Sequence, residues 1–239
     1  MSGHSKWSTI KRDKEKTDAA RGRIFSRIGK EIAIAVKMGG ADPSSNNRLA
    51  GVIAKAKANN MPKENIQRNL IGAGSKTYEE FVYEGYGPGG SAFIVEVLTD
   101  NKNRAAAEIR HIFDRSGGAL GTPNSVSYLF EKRAVVVVNE TAGLTEDKLT
   151  EYALECNADD VREAGDVFVI YGRPSALQEI ENFMHASKLE VVSAKVEMLP
   201  MSEMELDSAK YSSFEKMLEK LDEHEDVQEY YHNVKEKFC

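Results

Sequence analysis

Basic residues are concentrated at the N-terminal end of the chain. Residues 1–77 contain 16 lysines and arginines against 6 acids, whereas residues 78–239 contain 16 against 32. The net charge therefore changes from +10 to −16, although the whole chain carries only −6. Lysine and arginine neutralise phosphates and release counterions, which is the chemistry that nucleic-acid binding requires. The asymmetry predicts an anionic partner, namely a nucleic acid, for the N-terminal part.

The candidate binding residues fall in three segments. Residues 1–16 lack apolar periodicity and are expected to be a mobile basic segment. In this segment the imidazole of His4 could contact phosphate or a base, and the indole of Trp7 could stack on an unpaired base or pack on the first helix. The predicted nucleic-acid contacts are His4, Lys6, Trp7, Lys11, Arg12, Lys14 and Lys16 in this segment, Arg21, Arg23, Arg27, Lys30 and Lys37 in a first helix, and Arg48 and Lys55 in a second.

Patterns typical of enzymes are weak in this sequence. Gly72–Thr77 is similar to the end of a Walker motif, but an extra serine separates Gly74 from Lys76, and a strand is expected next. No HExxH or GxSxG element occurs, and the five histidines do not cluster along the chain. We therefore expect no catalytic residues, cofactor, metal or small-molecule substrate. A metal-dependent hydrolase built on the carboxylates between residues 159 and 166 is the least favoured alternative.

Cysteine usage and hydropathy indicate the compartment. Cys156 and Cys239 are far apart and outside any CxxC pattern, which excludes a disulfide framework and a thiolate zinc site. No apolar stretch is long enough to predict a transmembrane helix, and the N-terminal residues lack the apolar region of a secretory signal. The sequence predicts a cytoplasmic protein without a membrane partner.

The elements that must position the basic residues are helices. Apolar periodicity predicts three of them, at about residues 18–38, 45–58 and 62–71. In the first helix Ile24, Ile28, Ile32 and Val36 share one face, and the predicted binding residues Arg23, Arg27, Lys30 and Lys37 lie on the opposite, exposed face. The loop at residues 39–44 is longer than the turn of a helix-turn-helix motif, so no recognition helix is predicted.

Beyond the glycine-rich linker at residues 72–75 the pattern changes to strands. Two strands flank GYGPGG at residues 85–90, which is expected to be a turn. Residues 133–199 follow the β-α-β-β-α-β order of a ferredoxin-like unit, and residues 203–239 are expected to be helical and acidic. The predicted fold class is α+β: an N-terminal three-helix domain followed by two α/β domains, the last ferredoxin-like and inserted in the middle one. The predicted domains are 1–77, 78–132 with 200–239, and 133–199.

Long motifs in this chain resemble the YebC/PmpR family. They are GHSKWSTIK at 3–11, RGRIFSRIGKEI at 21–32, NMPKENIQR at 60–68, YEGYGPGGSAFIVEVLTDNKNR at 83–104, GGALG at 117–121 and SVSYLFEK at 125–132. The resemblance covers essentially the whole chain and implies a helical domain followed by two α/β domains.

The resemblance also implies two functions. Bacterial members are named probable transcriptional regulators that bind DNA, which favours a DNA-binding regulator of transcription. The family also includes the mitochondrial translational activator of cytochrome oxidase, and bacterial relatives are linked to relief of ribosome stalling. A ribosome-associated translation factor that binds rRNA is therefore the alternative.

Overall fold

The secondary structure follows one order along residues 18–74, 77–141 and 144–235, which are the residues that the computed structural model describes. The bounds are α1 (Asp18–Gly39), α2 (Asn47–Ala58), α3 (Lys63–Gly72), β1 (Glu79–Tyr86), β2 (Ala92–Thr99), α4 (Lys102–Arg115), β3 (Ala119–Leu120), β4 (Phe130–Asn139), α5 (Glu146–Glu155), β5 (Ala158–Ala164), β6 (Val167–Gly172), α6 (Leu177–Ala186), β7 (Val191–Pro200), α7 (Ser208–Glu223) and β8 (Val227–His232).

Helices α1, α2 and α3 share one apolar core. Ile28 and Ile32 of α1 pack with Leu49 of α2 and Ile66 of α3, and all four side chains are buried. Buried Asn46 joins the first two helices: its side chain accepts from the Leu49 N–H at 3.0 Å and donates to the Ala35 carbonyl at 2.7 Å. The predicted three-helix arrangement is confirmed.

A four-stranded sheet in the order β3-β1-β2-β8 forms the middle of the chain. β1 and β2 are antiparallel neighbours, with Glu79 opposite Thr99 and Tyr86 opposite Ala92. Phe93 of β2 packs against Phe113 of α4 and Phe214 of α7, with both ring-centroid distances at 5.9 Å. One face of this sheet is therefore covered by α4 and α7.

The GYGPGG segment is a tight turn between β1 and β2, as predicted. Gly89 and Gly90 have φ values of 69° and 82°, a region in which glycine alone is unstrained. The turn fixes the register of the two strands that follow the linker.

The C-terminal segment differs from the prediction of helices alone. α7 ends at Glu223, and residues 227–232 form β8 at the edge of the first sheet, beside β2. The sequence VQEYYH combines a β-branched residue with two tyrosines, which suits an edge strand better than a helix. The alternating residues 126–130 also predict a strand, but Ser127–Leu129 is a short 3₁₀ turn and β4 begins at Phe130.

A second antiparallel sheet has the order β5-β6-β4-β7. With α5 after β4 and α6 after β6, this is the predicted ferredoxin-like fold. Val136 and Val138 of β4 pack with Leu149 of α5 and Ile180 of α6. Val135, on the opposite face of β4, is also fully buried, so this strand is buried on both faces, as the continuous apolar run AVVVV at residues 134–138 predicts.

The described residues form two compact units. One contains residues 18–126 with Leu206–Tyr231, and the other contains Ser127–Glu205 with residues 232–235. The chain leaves the first unit after Val126 and returns to it at Leu206, so the ferredoxin-like domain is an insertion. The helical and middle domains lie in the same unit, and the three-domain boundaries stay a prediction.

Candidate nucleic-acid interface

The seven predicted contacts in the N-terminal segment lie outside the described residues. Their assignment to nucleic-acid binding therefore stays a prediction. They are His4, Lys6, Trp7, Lys11, Arg12, Lys14 and Lys16.

Arg27 of α1 contacts the C-terminal end of α7. Its Nη2 atom donates to the Asp222 carbonyl at 2.7 Å and lies 3.5 Å from the Leu221 carbonyl and 3.4 Å from that of His224. The last carbonyls of a helix lack partners within the helix and carry partial negative charge. Arg27 therefore caps α7 and compensates its dipole.

Lys30, one turn further along α1, forms an ion pair with Asp226. The Lys30 side chain is only 11% exposed and that of Asp226 only 3%, and Lys30 also donates to the Glu225 carbonyl at 2.9 Å. The second carboxylate oxygen of Asp226 accepts from Thr99 Oγ1 at 2.9 Å and from Arg104 Nη2 at 2.8 Å. Burial by itself raises the pKa of Asp226, but hydrogen bonds from Lys30 and Arg104 outweigh it and hold the pKa below its ordinary value.

The prediction of an exposed basic face on α1 is therefore wrong for Arg27 and Lys30. Arg23 is also only half-exposed, and its charge contributes to the lowered pKa of Glu223, for which the hydrogen bond from Lys220 is the larger cause. The missed signal is Ile34, which lies about 20° from Arg23 on the helical wheel. Ile34 is buried, and α1 contacts β2, so this face of α1 needs a covering partner as much as the opposite face does.

Other predicted basic residues remain at the surface. Arg21 and Lys37 are exposed, while Arg48 forms an ion pair with exposed Glu80, and Lys55 lies 2.6 Å from Glu31. Exposed ion pairs contribute only about 0–1 kcal/mol, so a phosphate can replace the carboxylate at little cost.

Further cations on α2 and α3 were not predicted. Lys57, Lys63 and Arg68 are exposed, and Arg68 Nη2 donates to Asn65 Oδ1 at 3.0 Å. Lys63 and Arg68 lie in the motif NMPKENIQR, one of those that carry the family resemblance. The available signal was the excess of basic over acidic residues between positions 40 and 74, five against two.

One cluster brings potential metal ligands together. Ligand atoms of Glu108, His224 and Asp226 lie within 4.8 Å of one another. Both Asp226 oxygens already accept hydrogen bonds from cationic or hydroxyl donors. His224 Nδ1 accepts the Asp226 N–H at 3.1 Å, so in the neutral ring Nε2 carries the proton and faces Glu108 Oε2 at 3.0 Å. These donors and acceptors form a polar network and do not suit a cation.

The acidic hairpin considered for a hydrolase is likewise engaged in ion pairs. Asp159 lies 2.5 Å from Arg133, and Asp160 lies 2.9 Å from Arg162. The neighbouring arginines neutralise these carboxylates, which removes the negative charge that would hold a metal cation.

In the described part of the chain no helix is long and apolar enough to cross a membrane.

Comparisons with known proteins cover nearly the whole chain. The family model for the TACO1/YebC N-terminal domain matches residues 5–75, and the model for the TACO1/YebC second and third domain matches residues 78–234. A probable transcriptional regulatory protein of Thermoanaerobacter pseudethanolicus is 47% identical over 98% of this chain and 97% of its own length. Another from Desulfatibacillum aliphaticivorans is 49% identical over 97% and 95%.

A solved structure shares the fold. The crystal structure of a conserved hypothetical protein from Aquifex aeolicus has a TM-score of 0.82 and 37% identity, and the match covers 92% of each chain. The resemblance read from the sequence motifs is confirmed by these matches. The chain belongs to the TACO1/YebC family.

Proposed function

We propose that this protein is a non-enzymatic, cytoplasmic regulator of transcription that binds DNA through its basic N-terminal part. The observation that carries the proposal is the separation of charge, with a net +10 in residues 1–77 and −16 in the remainder. Two relatives spanning the chain are named probable transcriptional regulatory proteins, which supports a regulatory role.

The proposed interface is smaller than the basic sequence alone suggests. Arg27 and Lys30 are occupied inside the folded chain, so we assign them to structure. Residues 1–16 remain proposed contacts, together with exposed cations of the helical domain. Of the cations predicted from the sequence, these are Arg21, Lys37, Arg48 and Lys55, with half-exposed Arg23 at the edge.

Salt-dependent binding tests this interface directly. Lys37, Arg48 and Lys55 are changed together to Gln, and binding to a duplex DNA fragment is measured at several salt concentrations. Each lost phosphate contact lowers the log–log salt slope by about 0.7–0.9, so the triple variant is expected to flatten it by about 2–3. Thermal melting and circular dichroism verify that the fold is retained.

A matched control removes three exposed cations from the other unit. Lys132, Lys148 and Arg173 are exposed there and are likewise changed to Gln. This control is expected to bind DNA with an unchanged salt slope. The proposed interface is wrong if the first variant also keeps its slope, or if both variants lose it equally.

The alternative is a ribosome-associated translation factor that uses the same basic residues on rRNA. The acidic remainder of the chain favours it, because 32 acids against 16 bases repel a long duplex lying along residues 78–239. Co-sedimentation with purified ribosomes, without retardation of promoter DNA, would establish this alternative in place of the DNA-binding role.

A further inference from the structure

The connection between α2 and α3 is a tight, four-residue turn. α2 ends in a Schellman motif: the Asn60 N–H donates to the Lys57 carbonyl at 2.9 Å, and the Met61 N–H donates to the Ala56 carbonyl, also at 2.9 Å. Asn60 has a φ of 55°, the left-handed conformation that glycine often supplies at this position. Pro62 then leads directly into α3. Two helices joined in this way match the helix-turn-helix plan. This turn joins α2 to α3, whereas the longer loop at residues 39–44 joins α1 to α2.

α3 presents most of its side chains to solvent. Ile66 is its one buried residue, and its exposed face carries Glu64, Gln67, Arg68 and Ile71, the last of which is 80% exposed. Glutamine and arginine side chains form bidentate hydrogen bonds with adenine and guanine edges, and an apolar side chain can contact the thymine methyl group. This face therefore carries the chemistry of base reading.

The charge around α3 is complementary to phosphate. Residues 40–74 contain five basic residues and two acids. Exposed Lys57 and Lys63 lie on either side of the turn, where contacts to the phosphate backbone would orient α3.

We propose that α3 is a recognition helix that enters the major groove of duplex DNA and reads base edges with Gln67, Arg68 and Ile71. The inference rests on the proposed DNA-binding function and assigns its sequence preference to one helix face. Duplex RNA does not fit this face, because the major groove of an A-form helix is too narrow for side chains to read. Unpaired bases do not fit either, since residues 40–74 contain no aromatic side chain on which a base could stack.

Selection from a duplex DNA library with a randomised centre tests the proposal on the full chain. The wild-type protein is expected to enrich a short motif. Gln67→Ala is expected to reduce the preference at one base pair by about 5- to 150-fold, which corresponds to the loss of one bidentate contact. Gln178→Ala is the matched control, because Gln178 is an exposed glutamine on α6, and it is expected to leave the motif unchanged.

A charge change at the exposed apolar position provides a second measurement. Ile71→Glu places a carboxylate among the phosphates and is expected to lower affinity for all duplexes by about tenfold or more. Leu154→Glu is its control, since Leu154 is 77% exposed on α5, and is expected to bind as the wild type does. Both positions are at the surface, and equal melting temperatures verify folding.

The outcomes separate this inference from the proposed function. If the wild type binds duplexes but Gln67→Ala and Ile71→Glu behave as the wild type does, α3 is not in the groove, and the DNA-binding proposal stands without it. If the wild type binds all duplexes equally, base reading by α3 is wrong. If the wild type binds no duplex at all, the proposed function fails, and the recognition helix fails with it.

Discussion

Asp226 is a buried carboxylate whose charge is balanced by two cations from different elements. Lys30 comes from α1 and Arg104 from α4, and Thr99 at the end of β2 completes the set of donors. A buried charge is costly unless it is paired and hydrogen-bonded, and here both carboxylate oxygens have partners. The cluster joins the helical domain to the first sheet through four side chains, Asp226 and its three donors.

Removal of this one charge should destabilise the first unit strongly. Asp226→Asn keeps the shape of the side chain but leaves Lys30 buried without its counter-charge. Breaking one side of a buried pair costs about 3–5 kcal/mol, and a loss of this order is expected in the free energy of unfolding by urea. Glu205→Gln is the control: its partner Lys235 is exposed, so a change below about 0.5 kcal/mol is expected. A small effect of Asp226→Asn would show that the cluster is dispensable.

The same residue predicts a pH dependence with a defined sign. Since folding lowers the pKa of Asp226, the folded state favours the ionised form, and its contribution to stability is complete above the ordinary pKa of about 3.9. That contribution is lost as the pH falls further, toward the lowered pKa of the folded state. The stability difference between wild type and Asp226→Asn should therefore be constant near neutrality and shrink below about pH 4. Urea denaturation at a series of pH values measures it, and a difference that grows on acidification would contradict this sign.

At the scale of elements, α1 is a helix with two partners. Ile28 and Ile32 face α2 and α3, while Arg27 and Lys30 contact the end of α7 and the residues just after it. A helix with one apolar and one basic face ordinarily has a solvated side, but here the basic side is used to compensate a helix C-terminus.

Two cations on α1 should therefore respond oppositely to substitution. Arg27→Gln is expected to lower stability by about 1–2 kcal/mol, because the last carbonyls of α7 lose a charged donor in a partly buried setting. Lys37→Gln, at the exposed end of the helix, is expected to change stability by less than about 0.5 kcal/mol. In DNA binding the roles reverse: Lys37→Gln should lower the salt slope by about 0.7–0.9, whereas Arg27→Gln should leave it unchanged. Thermal melting measures the stability of the two variants, and salt-dependent binding measures their slopes. A stable Arg27→Gln variant with a reduced slope would show that Arg27 belongs to the DNA interface.

The helices and strands could be predicted from the sequence more fully than the contacts between them. Strong periodicity and the βαββαβ order specify α1 to α3 and the ferredoxin-like insertion. By contrast, the ion pair between Lys30 and Asp226 joins residues 196 positions apart, and no local pattern encodes such a contact. Ile34 is the one local signal that this face of α1 is buried, since a β-branched apolar residue among four cations on a helix face requires a packing partner. The break between α2 and α3 agrees with the helix bounds predicted at residues 58 and 62. The left-handed conformation of Asn60 was not predicted, because glycine is the usual residue at this position.

At the scale of the whole molecule, the insertion has closely spaced ends. Glu131 of β4 is directly opposite Leu199 of β7, and paired residues in an antiparallel ladder are about 5 Å apart. Residues 132–198 can therefore be replaced by Asn-Gly, which closes a two-residue hairpin. The shortened chain is expected to unfold cooperatively and to keep the affinity of the full chain for duplex DNA.

Circular dichroism melting and salt-dependent binding of this shortened chain test the domain boundaries. The full chain with Lys132, Lys148 and Arg173 changed to Gln serves as the binding control. Loss of cooperative unfolding would show that the inserted residues contribute to the core of the first unit, and the division into separate domains would then be wrong.

The distance along the chain between α1 and its partners has a consequence for synthesis. Arg27 is translated 195 residues before Asp222, and at about 5–20 residues per second this delay is about 10–40 s. Until residues 221–226 emerge, Arg27 and Lys30 lack these partners and face solvent beside the ribosome that is making them. The nascent protein thus exposes a wider basic surface to polyanions than the finished protein does. Once the C-terminal segment is complete, Arg27 and Lys30 are no longer available to such partners.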